Sequence, residues 1–281
     1  MKKLLLSVLC LSSLSIFAQN EESNWKRGGN ASLMFNQAAF NNEWTGGGTS
    51  NVAANLAISY AVNYKKDAWT WDNNFFIDYG ITKLKNDEFA RKINDRFEIN
   101  SLLGRQASEF WYYSLFMNFK TQLSNGYKYS ASDKTLINRF LSPGYFQLGP
   151  GMLWKKSDNL KVNLAPATLK VTSARKQFTN YVDSFYGVKR GKNFNYELGL
   201  AVGGYAKFNL MDNVSMENIL NLYSNYLDKP QNIDIDYTAN LVMTINKYLS
   251  ANFTFQAIYD DNAVKGFQVR EVLGLGVNYK L

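Results

Sequence analysis

After a polar leader, Gln19 to Asn24, apolar and polar positions alternate with a period of two almost to the last residue. The second such segment is the clearest. Val52, Ala54, Leu56, Ile58, Tyr60, Val62 and Tyr64 share one face, and Asn51, Ala53, Asn55, Ala57, Ser59, Ala61 and Asn63 share the other. This run is longer than an ordinary soluble strand and suits a tilted membrane crossing. The same reading places strands at 27–39, 50–64, 68–81, 92–104, 109–122, 144–155, 160–172, 193–209, 214–226, 233–245, 249–260 and 267–280.

The connections alternate as well. Lys65 to Asp67, Arg105 to Ser108, Lys156 to Asn159, Met211 to Asn213 and Asn246 to Tyr248 are short and polar. Between them lie the longer segments Phe40 to Gly48, Thr82 to Arg91, Leu123 to Pro143, Ser173 to Lys192, Leu227 to Asn232 and Asp261 to Gly266. Short turns on one side and long loops on the other predict an all-β, 12-stranded antiparallel transmembrane β-barrel. Its even strand count puts both N- and C-termini on the periplasmic side.

Side-chain chemistry agrees with that orientation. Trp69, Trp71, Phe75, Ile77, Tyr79 and Ile81 share one face, as do Trp111, Tyr113, Leu115, Met117 and Phe119. Trp69, Tyr64, Trp111, Trp154, Tyr226, Tyr237, Tyr259 and Tyr279 are expected near strand ends, where membrane interfaces favour amphipathic rings. The opposite faces carry mostly Asn, Ser, Ala, Gly and Thr, where a soluble sandwich would carry Lys and Glu. They are read as a small, polar lumen. Glu271 breaks the pattern, because strict alternation puts it beside Leu273 and Leu275 on the lipid face, so either it lies near the outer interface or a bulge shifts the register.

Composition narrows the class further. The 281 residues contain 15% aromatics and only 4 prolines, and no composition shift marks a domain boundary. Lys2 and Lys3, the apolar run Leu4 to Phe17 and Ala18 read as a signal peptide over 1–18, leaving one barrel domain over 19–281. The bulky Leu9 before Cys10 argues against lipidation. Cleavage would lower the net charge from +8 to about +6, a modest excess suited to anionic headgroups. Export and fold together predict the cell outer membrane, with outer-membrane lipid, lipopolysaccharide and the barrel-assembly machinery as partners. The amphipathic last strand, ending Val277-Asn278-Tyr279-Lys280-Leu281, looks like the signal that this machinery reads. Nucleic acid is not expected as a partner, and the oligomeric state is not legible.

The chain has no histidine, and its single cysteine, Cys10, lies in the segment read as the signal peptide. Ser-His hydrolysis, thiol nucleophiles and His- or Cys-ligated metals are therefore excluded, and the chain is read as a non-enzyme without cofactor or metal. Asp234 and Asp236 share a face two residues apart, as do Asp72 and Asp78. Carboxylates of this kind suit a hard cation or glycoside hydrolysis, but along a lumen they more often pair with bases or tune ion passage. Asp72, Asp78, Arg96, Glu98 and Arg270 are the pore candidates, with Lys120, Lys161, Glu197 and Glu217 facing the same way.

Among the loops, Arg175, Lys176, Lys189, Arg190 and Lys192 bracket a segment containing Phe178, Tyr181, Phe185 and Tyr186, which suits phosphate or sugar contact as well as plain solvation. Tyr127 and Tyr129 decorate the long loop before Pro143. The first loop, Phe40-Asn41-Asn42-Glu43-Trp44-Thr45-Gly46-Gly47-Gly48, sets Trp44 beside Gly46, Gly47 and Gly48, which suits a plug or a turn at the barrel rim. This Asn-x-x-Trp-x-x-Gly-Gly arrangement and the strand Asn51 to Tyr64 resemble an uncharacterised family of Bacteroidota outer-membrane barrels, domain-of-unknown-function family 3078. That resemblance would span nearly the whole mature chain. It implies a fold and a compartment and supplies no catalytic residues. The functional expectation is a narrow channel or transporter for small polar solutes. The alternative is a non-conducting structural barrel, or one that binds lipopolysaccharide or a protein through its external loops.

Overall fold

The computed structural model describes residues 23–41, 49–85, 87–130 and 133–281. The signal-peptide segment and the rim motif Trp44, Gly46, Gly47 and Gly48 lie outside the described residues. The twelve barrel strands are β1 (Trp25–Ala38), β2 (Asn51–Lys66), β3 (Trp69–Leu84), β4 (Arg91–Gln106), β5 (Trp111–Thr121), β8 (Gly144–Ser157), β9 (Leu160–Ser173), β12 (Phe194–Met211), β13 (Val214–Asn225), β14 (Ile233–Thr244), β15 (Leu249–Asp260) and β16 (Val264–Lys280). Two loop hairpins, β6 (Gly126–Tyr129) with β7 (Lys134–Asn138) and β10 (Ser184–Phe185) with β11 (Val188–Lys189), and a short helix, α1 (Lys176–Thr179), complete the described elements.

Hydrogen bonding runs β1-β16-β15-β14-β13-β12-β9-β8-β5-β4-β3-β2 and closes on β1, every pair antiparallel. Closure satisfies backbone groups that an open sheet would leave at its edges. The closing seam pairs Asn30 with Lys280 through to Phe35 with Leu275. The strand boundaries fall within a few residues of those expected, because both the alternation and the polar turns are local features. Asp67, in the tight turn after β2, takes the left-handed φ of 51° that such turns require. Two expectations need correction. The last long connection is a three-residue turn, since β16 begins at Val264 and extends the β15 hairpin. Tyr237 lies within β14 and not at its end, where its hydroxyl donates to Asn218.

The faces are inverted relative to a soluble β-protein. Leu33, Phe35, Leu56, Trp71, Phe75, Leu115, Leu164, Leu198, Leu273 and Leu275 are exposed on the outside. Ser32, Asn55, Asp72, Glu98, Ser114, Asn163, Lys170, Glu197, Thr238 and Gln256 are buried on the inside. Trp25 packs against Tyr64 and Trp71 at the turn end, and Trp111 pairs with Trp154. Glu271 stays on the outer face, because the register from Val277 to Gln268 against β15 is unbroken. It lies beyond the last pair between β1 and β16.

One irregularity decides what the lumen contains. Between Ala165 and Thr168 the register of β9 against β12 shifts, at Pro166, which cannot donate to the ladder. Before the shift Lys161, Asn163 and Ala165 point inward, and after it Thr168, Lys170 and Thr172 do. The bulge thus swings Lys170 into the lumen, a position that strict alternation would deny it.

Candidate functional site

A cavity of about 730 Å³ occupies the lumen and touches all twelve barrel strands. It reaches from Asp158 and Asn159 in the turn after β8 to Tyr186 and Ala263 at the loop end. The lining mixes polar side chains such as Asn74, Asn100 and Asn118 with larger ones such as Phe76, Phe116, Tyr205 and Tyr223, and clustered charged side chains face the space between them.

At the turn end Asp72, on β3, accepts from Lys155 on β8 and Lys161 on β9, each at 3.1 Å. Lys155 also holds Asp158 at 2.9 Å, and its hydrogen bond keeps that turn carboxyl below the usual carboxylate range. Farther along, Arg96 Nε lies 2.8 Å from Asp78 and Arg96 Nη1 lies 3.5 Å from Glu98. Asn100 and Asn118 donate to Glu98 Oε1 at 2.9 and 3.0 Å. Lys120, on β5, reaches Asp236, on β14, at 2.7 Å across the lumen. Gln256 donates to the other oxygen of Asp236 and accepts from Arg270, whose second hydrogen bond goes to Asn94 on β4. Nearer the loops Lys170 lies 2.7 Å from Asp234 and 3.5 Å from Glu197. Glu217 accepts from Tyr205 at 2.9 Å and from Asn240 at 3.1 Å, and Lys207 is its cross-strand partner on β12.

All five expected pore residues face inward, but only Asp72, Arg96 and Glu98 line the cavity, and the five do not form one group. Asp78, Arg96 and Glu98 meet as neighbours. Asp72 turns to Lys155 and Lys161 and not to Arg96 and Glu98, and Arg270 is held by amides. Asp234 and Asp236 share a face as expected, yet each takes its own lysine from a distant strand. Lys155 and Lys170 were not among the expected lumenal residues, although Pro166 inside a strand was the available signal for Lys170. Carboxylate oxygens of Asp234, Asp260 and Asp261 come within 4.8 Å of one another. Lys170 and Asn232 already bind two of them, so no metal is assigned there.

The loop between β9 and β12 covers part of the mouth. Thr179 and Val188 are fully buried within it, and Phe178 stacks on Phe185 at 5.2 Å. Tyr186 lines the cavity, and burial raises its phenol above the ordinary tyrosine range, with the Asp260 charge adding to the effect. Arg175, Lys176, Lys189, Arg190 and Lys192 are exposed on the outside of this loop, and Arg190 pairs with Asp183 at 2.7 Å. The loop before Pro143 folds as the β6 and β7 hairpin, in which Lys134 sits over the rings of Phe89 and Tyr127.

Residues 35–127 match the model of a family described as Protein of unknown function (DUF3078). The match includes the Trp-Gly segment and β2 but covers a minority of the chain, less than the resemblance alone implied. No curated protein matches. Among solved structures, the translocator domain of the autotransporter NalP from Neisseria meningitidis is 10% identical, with 98% of this chain and 94% of that one covered and a TM-score of 0.42. An outer membrane channel from Pseudomonas putida F1 is 9% identical, with 94% and 99% covered and a TM-score of 0.42. The beta domain of the Bordetella autotransporter BrkA is 10% identical, with 91% and 98% covered and a TM-score of 0.32.

Proposed function

We propose that this chain spans a bacterial outer membrane and that its lumen passes small polar or charged solutes. The membrane reading is supported by the inverted faces of a closed barrel, apolar outside and polar within, which only a lipid surrounding makes favourable. The long connections then face outward, the termini face the periplasm, and lipid, lipopolysaccharide and the barrel-assembly machinery are the expected partners. The conduit reading is carried by one observation, the cavity of about 730 Å³ that runs from the turn end to the loop end. Charges of both signs face the path, so solutes that can exchange hydration for lumenal hydrogen bonds are the ones admitted.

Planar-bilayer recording of the refolded protein tests this reading. Discrete conductance steps are expected. Silence from protein whose folding is verified by heat-dependent gel mobility overturns the conduit. One observation favours a second reading, a non-conducting barrel: Lys120 and Asp236 bridge the lumen. Under that reading the bridge and the clusters beside it stiffen the wall, and removing it opens no conductance.

A further inference from the structure

The outward column of β12 changes chemistry as it approaches the loops. It runs Leu198, Tyr196, Phe194 and then, by continuation of the alternation, Lys192. Tyr196 and Phe194 are 64% and 52% exposed, with ring centroids 6.2 Å apart. The neighbouring strand also ends toward a cation, with Leu169, Val171, Ser173 and then Arg175. The two chains stay in register past their strand ends. Phe194 pairs with Ser173, the Ala174 N–H donates to the Asn193 carbonyl at 2.8 Å, and Arg175 is extended at φ −79° and ψ 146°. Extending that register by one step sets Arg175 opposite Lys192, and both side chains are exposed.

Like charges directly opposed destabilise a ladder unless an anion lies between them. No described carboxylate does, since the one acidic residue of the loop, Asp183, is taken by Arg190. Lys176 follows Arg175 in the chain, and a turn whose Lys192 N–H donates to the Lys189 carbonyl at 3.0 Å keeps the backbone of Lys189 near, both lysines being exposed. The corner is also held in place. Thr179 Oγ1 donates to the Lys192 carbonyl at 2.9 Å, and the Arg175 N–H donates to Ser142 Oγ at 3.0 Å.

Aliphatic, aromatic, then cation is the order in which a lipid presents acyl chain, interface and phosphate. We infer that Arg175 and Lys192, flanked by Lys176 and Lys189, bind the phosphate of a lipid headgroup in the leaflet at the loop end. The Arg175 guanidinium offers the two-pronged contact that phosphate favours. This inference rests on the membrane-spanning reading and is independent of conduction.

The test uses the full chain folded in neutral maltoside micelles, doped with either phosphatidic acid or diacylglycerol of the same chain length. Lipid retained through gel filtration is quantified by mass spectrometry. Phosphatidic acid is retained and diacylglycerol is not. R175S/K192S lowers retention roughly thirtyfold while keeping heat-dependent gel mobility, and R175K/K192R preserves it. Equal retention of the two lipids, undiminished retention by R175S/K192S, displacement by inorganic phosphate alone, or an equal loss in the distant pair K85S/K128S overturns the inference. Solubility without detergent would instead overturn the membrane reading, so the two failures are distinguishable.

Discussion

Lys120 Nζ lies 2.7 Å from Asp236 Oδ2, and the two residues belong to strands on different sides of the lumen. Along the shorter wall β8, β9, β12 and β13 separate them. The pair is therefore a bridge across the bore, flanked by Arg96 and Gln256.

Replacing Lys120 with Ala removes the bridge and leaves Asp236 facing the bore. The expected result is a larger single-channel conductance, with the reversal potential in a salt gradient displaced toward cation preference. Asp236→Ala displaces it toward anions, because Lys120 and Arg96 remain. Each variant also loses stability, by about 1–3 kcal/mol for the polar partner left behind. Unchanged conductance and selectivity in both variants would remove the bridge from any role in passage.

Asp72 serves two lysines, but they do not depend on it equally. Lys155 keeps Asp158 at 2.9 Å, whereas Lys161 has no other ion pair among the described residues. Asp72→Ala is therefore expected to cost about 2 kcal/mol, below the range for a fully buried pair because the Lys161 side chain keeps part of its exposure. Lys161→Met in the same background should restore most of that loss. Urea titration of the barrel in vesicles, read by tryptophan fluorescence, measures both.

Glu271 faces outward between Val269 and Leu273. A carboxylate on a lipid-facing wall is unfavourable to a degree set by its depth, so Glu271→Leu should stabilise the barrel by about 1 kcal/mol. The same titration checks it, and a loss of stability would show that the carboxylate has a polar partner in the membrane.

The loop over the mouth should open at high pH. Tyr186 has its folded pKa raised above the ordinary value of 10.0 by burial, with the Asp260 charge adding to the shift. A raised pKa contributes stability that is fully present below the unfolded value and is lost as pH climbs through the folded one. Cleavage of the loop by an alkali-tolerant protease is thus expected to accelerate above about pH 10. Tyr186→Phe, which has no proton to lose, should flatten that rise.

Alternation is a property of consecutive residues, so the sequence by itself determined the twelve strands, the inner and outer faces, and the inward direction of Asp72, Asp78, Arg96, Glu98 and Arg270. Polar turns are local too, and their spacing was legible for the same reason. What each lumenal charge meets was not legible, because that depends on how a closed barrel sets distant strands across from one another. Lys120 and Asp236 are 116 residues apart in the chain. Lys170 entered the lumen only through the bulge at Pro166, and the placing of Arg175 toward Lys192 rests on the register that β9 and β12 keep as far as the bond from Ala174 to Asn193. Pairing across a bore and register after a bulge are decided where chains from far apart in sequence come together, and tertiary structure alone supplies that.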